Sequence, residues 1–300
     1  MRSNRYSRSL ARLALNCFIA IISAIAISGC TSSTEPTYLK KDVERALQDI
    51  LNKEYSTQVT AKLTGQTLWV YLPVEDIFVK SDKPQKYIEK FEIKNNTGKI
   101  ENNIITLEYL IQQVPEKEKI DEYKFNKEIQ DKITNVMKTL RRIIFSIDNK
   151  KTKAPDFYCL VVADTKNGII LQQTFYQLDF KKAYYDFISW TEFQHRIIQI
   201  IESIPEVTGN KDGTGYNFYE ISMPEFILTQ ITNRIKLKFQ KPEVEKGADI
   251  ENEILKVVIN TIKIYEFRDF NEVELVNLAT NNKTILNQPA IRAKFNDKLF

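Results

Sequence analysis

One histidine and three cysteines are the residues best suited to nucleophilic or metal chemistry in this 300-residue chain. His195 stands alone, so a metal centre built on several imidazoles is excluded within one chain. Cys159 could pair with His195 as nucleophile and base. Its thiol, however, lies in the nearly all-apolar run from Phe157 to Ala163, and a cysteine buried in such a strand is usually inert. The carboxylates Glu116, Glu118, Asp121 and Glu122 fall in a mixed charge run, which reads as a solvated face. The glycines from Gly209 to Gly215 lack the Gly-Lys-Ser/Thr ending of a phosphate loop. With Asp212 alone they also lack the spaced acids of a calcium loop, and they read as a mobile surface turn. No residue is therefore assigned a catalytic, cofactor or metal role. A hydrolase working with Asp and Glu alone stays open.

The chemistry that the sequence does spell out is at its start. Arg2, Arg5, Arg8 and Arg12 precede an apolar stretch, Leu13 to Ile27, and no acid offsets them before Cys30. A basic region, a short apolar region and small residues make an export signal. The stretch is shorter than the roughly 20 residues that span a bilayer. Ile27-Ser28-Gly29-Cys30 resembles the lipobox of bacterial lipoproteins. The resemblance implies diacylglycerol on the Cys30 sulfur, cleavage after Gly29 and fatty acylation, palmitate in type, of the new amino terminus. Several acyl chains anchor stably where one is marginal. By the same analogy Thr31 after the cysteine implies the periplasmic face of an outer membrane, where the cell has one.

Removing the signal changes the charge argument. The formal charge is +4, but losing the four arginines lowers the basic residues from 43 to 39, equal to the 39 acidic ones. The mature chain is near neutral, which gives no footprint for nucleic acid. Cys159 is then the one free thiol, so no internal disulfide is expected. The roughly 270 remaining residues suffice for a real core in one large domain or two small ones.

Residues 31–37 read as a short polar tether. Leu39, Val43, Ala46, Leu47, Ile50 and Leu51 predict a helix, and Val59 to Leu63 and Leu68 to Leu72 predict two strands. Within 79–125 an inserted hairpin is expected, turning at residues 95–98, with charged exposed stretches on either side. Ile129 to Ile144 has helical spacing. Two strands, Phe157 to Ala163 and Ile169 to Tyr176, meet at the Asn167-Gly168 turn. A short helix from Asp179 and a longer one reaching about Glu202 follow, with a capping box at Ser189 and Glu192. Residues 204–215 mark a boundary and 216–221 a strand. Ser222 and Glu225 start a helix; Ile235, Leu237 and Phe239 alternate as a strand. A helix from Ile250 to Tyr265 and a hairpin over 272–288 complete the chain.

Two segments correspond. The helix carrying Ile129, Ile133, Val136 and Met137 matches the one carrying Ile250, Ile254, Val257 and Val258, and each is followed by a strand, a polar turn near Ala163 or Ala279 and a return strand. The fold expected is α+β: antiparallel sheets with amphipathic helices packed on one face, in two related helix–hairpin modules. The expected division is signal 1–29, lipidated tether 30–37, first module 38–205 with an inserted segment near 79–125, and a smaller second module 206–300. With Trp69-Val-Tyr-Leu-Pro and Phe78 the first module also faintly resembles the OmpA-like envelope domain. That family's peptidoglycan-binding Asp and Arg motif is not visible, so no binding residues are carried over.

One aromatic stretch stands out: Phe175, Tyr176, Phe180, Tyr184, Tyr185, Phe187, Trp190 and Phe193. Most such rings pack inward. Tyr176, Tyr184, Tyr185 and Trp190, rimmed by Lys181 and Lys182, are the candidates for a partner or ligand patch, because interfaces favour Tyr and Trp. The expected role is a membrane-anchored, non-catalytic interaction or assembly component of the cell envelope with a protein partner. A binding module for a small or lipid-like ligand, or a carboxylate-dependent envelope hydrolase, is the alternative.

Overall fold

The computed structural model describes residues 38–148, 153–240 and 244–295. The expectations for the signal 1–29, for Cys30 and for the tether 30–37 fall outside the described residues. Two compact units divide the chain: Met1–Gln85 with Glu122–Glu220, and Lys86–Asp121 with Ile221–Phe300.

The first unit opens with α1 (Val43–Tyr55), then β1 (Thr60–Thr64) and β2 (Thr67–Val74). The hairpin strands β3 (Phe78–Glu101) and β4 (Ile104–Phe125) start and finish in it but run through the second unit. Next come α2 (Lys127–Ser146), β5 (Phe157–Asp164), β6 (Ile169–Tyr176), α3 (Gln177–Tyr184), α4 (Trp190–Arg196) and β7 (Ile198–Ser203). The second unit continues with α5 (Met223–Gln240), α6 (Ile250–Ile264), β8 (Glu272–Asn277), β9 (Asn282–Asn287) and α7 (Gln288–Phe295). The fold is α+β: among the described residues, seven helices and two open, mostly antiparallel sheets.

In the first sheet the order is β1-β2-β5-β6-β7. β2 and β5 run parallel, from Thr67 opposite Phe157 to Val74 opposite Asp164, and every other pair is antiparallel. All of β5 and nearly all of β2 are buried, as befits a parallel pair covered on both faces. Leu68, Val70, Leu72, Tyr158, Leu160 and Val162 share one core with α1 and α2. The apolar spacing of α2 puts Ile129, Ile133, Val136, Leu140 and Ile143 into that core, and Asn126 caps the helix by accepting from Glu128 N (3.0 Å).

The opposite face is covered by irregular chain. Ile204 N donates to Gly168 O and Gly209 N to Thr165 O, both at 2.7 Å. From there residues 205–220 lie across β1 and β2. Tyr71 Oη donates to Asn210 O (2.8 Å), Thr60 Oγ1 to Asp212 O (2.6 Å) and Trp69 Nε1 to Tyr219 O (2.7 Å). The Glu220 carboxylate accepts from Gln66 N (2.8 Å) at the far end. The rings of Tyr216, Phe218 and Tyr219 lie 5.2–6.2 Å from that of Trp69, which is completely buried. The segment read as a mobile turn is thus a bonded strap, and residues 216–221 form no strand.

The second sheet has the order β3-β4-β8-β9, with β4 and β8 parallel from Ile104–Glu272 to Tyr109–Asn277. It repeats the plan of the first: one hairpin joined to another through a parallel pair. Correspondence extends to the turns. Thr165 N donates to Val74 O after β5, and Leu278 N to Tyr109 O after β8, both at 2.9 Å. Gly168 and Asn281 hold the same turn position with φ of 67° and 56°. In this register Asp164, and not Ala163, corresponds to the end of β8, because Ala279 lies in the turn.

Several element readings change. The sheets are mixed, since each contains a parallel pair. The hairpin of residues 79–125 turns at Asn102 and Asn103, whose positive φ values suit a two-residue turn, and its charged ends are strand too. Ile198 to Ser203 is a strand beside β6, which cuts the expected helix short. Ile235, Leu237 and Phe239 lie in α5; Ile235 and Phe239 are buried while Leu237 is 39% exposed, the mark of a helix face. The boundary between the units falls at 220/221, and residues 86–121 of the hairpin belong to the second unit.

Candidate functional site

The aromatic stretch splits by burial. Phe175, Phe180 and Phe193 are core residues, with ring centroids 5.4–5.9 Å apart. Trp190 packs edge-on against Phe180 and Phe193 and is half-buried. Tyr176 leans on Phe157 (5.5 Å), also half-buried. Of the four patch candidates, Tyr184 and Tyr185 are the ones brought together at the surface.

They sit where α3 ends. Tyr185 N donates to Lys181 O (3.0 Å) and Phe187 N to Lys182 O (2.8 Å), while Asp186 takes the left-handed conformation (φ 61°). A residue in that region ends a helix and throws the next side chain outward; aspartate tolerates it better than most. Phe187 is accordingly 79% exposed and Tyr185 58%. Leu178 and Tyr184 are also exposed. The sequence stretch contained Phe187, but its prominence needed the Asp186 turn, and Leu178 lay outside the reading.

The corner is built rigidly. A clamp closes α3 on α4: Arg196 donates to Asp179 Oδ1 (2.7 Å) and to Glu192 Oε1 (2.8 Å). Burial works against the guanidinium charge, but the Glu192 and Asp179 bonds outweigh it and raise its pKa. Ser189 caps α4 by accepting from Glu192 N (3.0 Å). Below, the Phe145 ring of α2 lies 4.3 Å from Tyr184 and 5.8 Å from Tyr185, with Arg141 at 6.0 Å over the Tyr184 ring. Lys181 and Lys182 flank the site, and burial lowers the pKa of Lys181. The result is a fixed platform of apolar rings with cations beside it, suited to contact.

The groups suited to covalent chemistry are placed differently. Cys159 is fully buried against Thr174 Oγ1 (3.1 Å), and burial pushes its thiol up to about 12. His195 is exposed on α4. Glu118 pairs with Lys86 and Glu116 with Lys246, as a solvated charged face does. No cluster of three or more metal-ligating side chains occurs among the described residues. Comparisons with protein-family models, curated proteins and solved structures give no match.

Proposed function

We propose that this protein is a lipid-anchored, non-catalytic interaction component of the cell envelope, held at the membrane through acylated Cys30. The observation that carries the reading is the platform of Tyr184, Tyr185 and Phe187. Large apolar side chains held outward by a capped, ion-paired corner mark a contact surface. Among the described residues no helix is long and apolar enough to cross a membrane. The test places a photo-crosslinking residue at Phe187 in intact cells. Adducts, to lipid or to protein, are expected there and not at exposed Lys62, and Cys30→Ala weakens them. Equal labelling at both positions sinks the proposal.

A protein partner has a separate place to dock. Tyr87, Ile88 and Ile120 stand exposed on β3 and β4, in a stretch with few buried residues. A crosslinker at Ile88 that captures a single envelope protein supports this.

A further inference from the structure

The chain enters the first unit beside the platform. Tyr38 N donates to Ser146 O (2.9 Å), and Asp148 N donates to Tyr38 O (2.8 Å). Phe145, next to Ser146, is the ring on which Tyr184 and Tyr185 pack. Cys30 precedes Tyr38 by eight residues, at most about 28 Å of extended chain. An acyl chain on Cys30 is thus kept close to one corner of the unit, the corner where the apolar rings are exposed. The charges agree: Arg141, Lys181 and Lys182 accompany the rings, and Asp186 is the one acid between residues 180 and 190. Tyrosine and phenylalanine rings beside Lys and Arg suit the headgroup level of an anionic bilayer.

We infer that Tyr184, Tyr185 and Phe187 seat the first unit on an anionic lipid surface, that of the bilayer carrying the Cys30 anchor. The inference rests on the anchor reading above. Acyl chains retain the protein at the membrane; the platform orients it there, which a polar tether cannot do.

The test uses the mature-length chain from residue 30 in two forms, the lipidated native protein and an unlipidated Cys30→Ala chain made without residues 1–29, with vesicles of phosphatidylcholine alone or with phosphatidylglycerol. The unlipidated variant should sediment with the anionic vesicles, less so in high salt. Changing Tyr184, Tyr185 and Phe187 together to Ser should lower its partitioning at least tenfold; Phe187→Ser alone, at the most exposed of the three, should lower it with an unchanged unfolding midpoint. On native protein, a fluorophore at Phe187→Cys should be quenched by headgroup spin labels, while one at Lys62→Cys is not; Cys159 is buried and takes no label. Unaltered partitioning of the triple variant, or a water-exposed probe at position 187 on a lipidated protein, overturns docking and leaves the anchor. So does quenching only after a protein partner is added. A native protein whose mass shows no lipid, but whose unlipidated form still docks, overturns the anchor and upholds the docking.

Discussion

At the end of β5 the turn to β6 hangs on Asp164; at the end of β8 the turn to β9 hangs on Asn277. Asp164 is buried and accepts from the backbone N–H groups of Ile77 (2.9 Å), Lys166 (3.1 Å) and Asn167 (3.0 Å), and from Asn167 Nδ2 (2.9 Å). Asn277 accepts from Ala279 N (2.9 Å) and is half-exposed. The two sheets around these turns differ in the same sense. The first carries helices on one face and the strap on the other. In the second, the buried residues of β8 are Val273 and Leu275, which alternate with half-exposed ones, and β9 is largely exposed. Its bonds run to two helices: Tyr109 Oη to Glu251 Oε2 (3.2 Å) and Thr284 Oγ1 to Glu251 Oε1 (2.7 Å) on α6, and Asn96 Nδ2 to Thr232 O (2.7 Å) on α5. One topology thus supports a sheet enclosed on both faces and a sheet with an exposed edge strand. Enclosure depends on whether a further segment crosses the second face.

The contrast can be broken by mutation. Trp69→Ala removes a fully buried ring and the bond to Tyr219 O, and should cost about 3–5 kcal/mol in urea unfolding. Ile285→Ala, on half-exposed β9, should leave the midpoint unchanged. Equal effects would mean that the strap contributes nothing to enclosure. Next come the turn anchors. Asp164→Ala strands several amide donors and should cost roughly 2–4 kcal/mol, Asn277→Ala no more than about 1 kcal/mol.

Asp164 also predicts a pH dependence. Burial pushes its pKa up, but the bonds from Asn167, Ile77 and Lys166 outweigh that and hold it below the usual carboxylate range. A carboxylate depressed in the folded state stabilises above its unfolded pKa, about 3.9, and loses that stabilisation as pH falls through the lower folded value. The wild-type midpoint should therefore drop more steeply below about pH 4 than that of Asp164→Ala. Comparable to Asn277→Ala is Gly213→Ala in the strap. Gly213 has φ of 74°, and an added methyl would meet the Tyr71 ring at 3.1 Å, for a loss of about 1 kcal/mol.

What the sequence disclosed was local. Ile129 to Ile144 repeats at helical spacing and is helix; Ser222 and Glu225 form the reciprocal box they suggest, with Ser222 N on Glu225 Oε2 at 2.8 Å. Ile235 to Phe239 misled because residues four apart on a helix also sit at even spacing on a strand. The parallel pairs were hidden, since β2 and β5 are joined by contacts between residues far apart in sequence. At the candidate site, residue type exposed Tyr184 and Tyr185, but the inward turn of Trp190 and the outward turn of Phe187 depend on the Asp186 backbone and the Arg196 clamp.

The β2–β5 pairing also sets a schedule for synthesis. The hairpin of β1 and β2 emerges first and then waits with Trp69, Val70 and Tyr71 uncovered while about 80 more residues are made. At roughly 5–20 residues per second that is several seconds. The strap arrives later still. Throughout this interval the nascent chain displays an unpaired, aromatic strand edge of the kind that aggregates. A holding chaperone therefore has a defined target and a defined window.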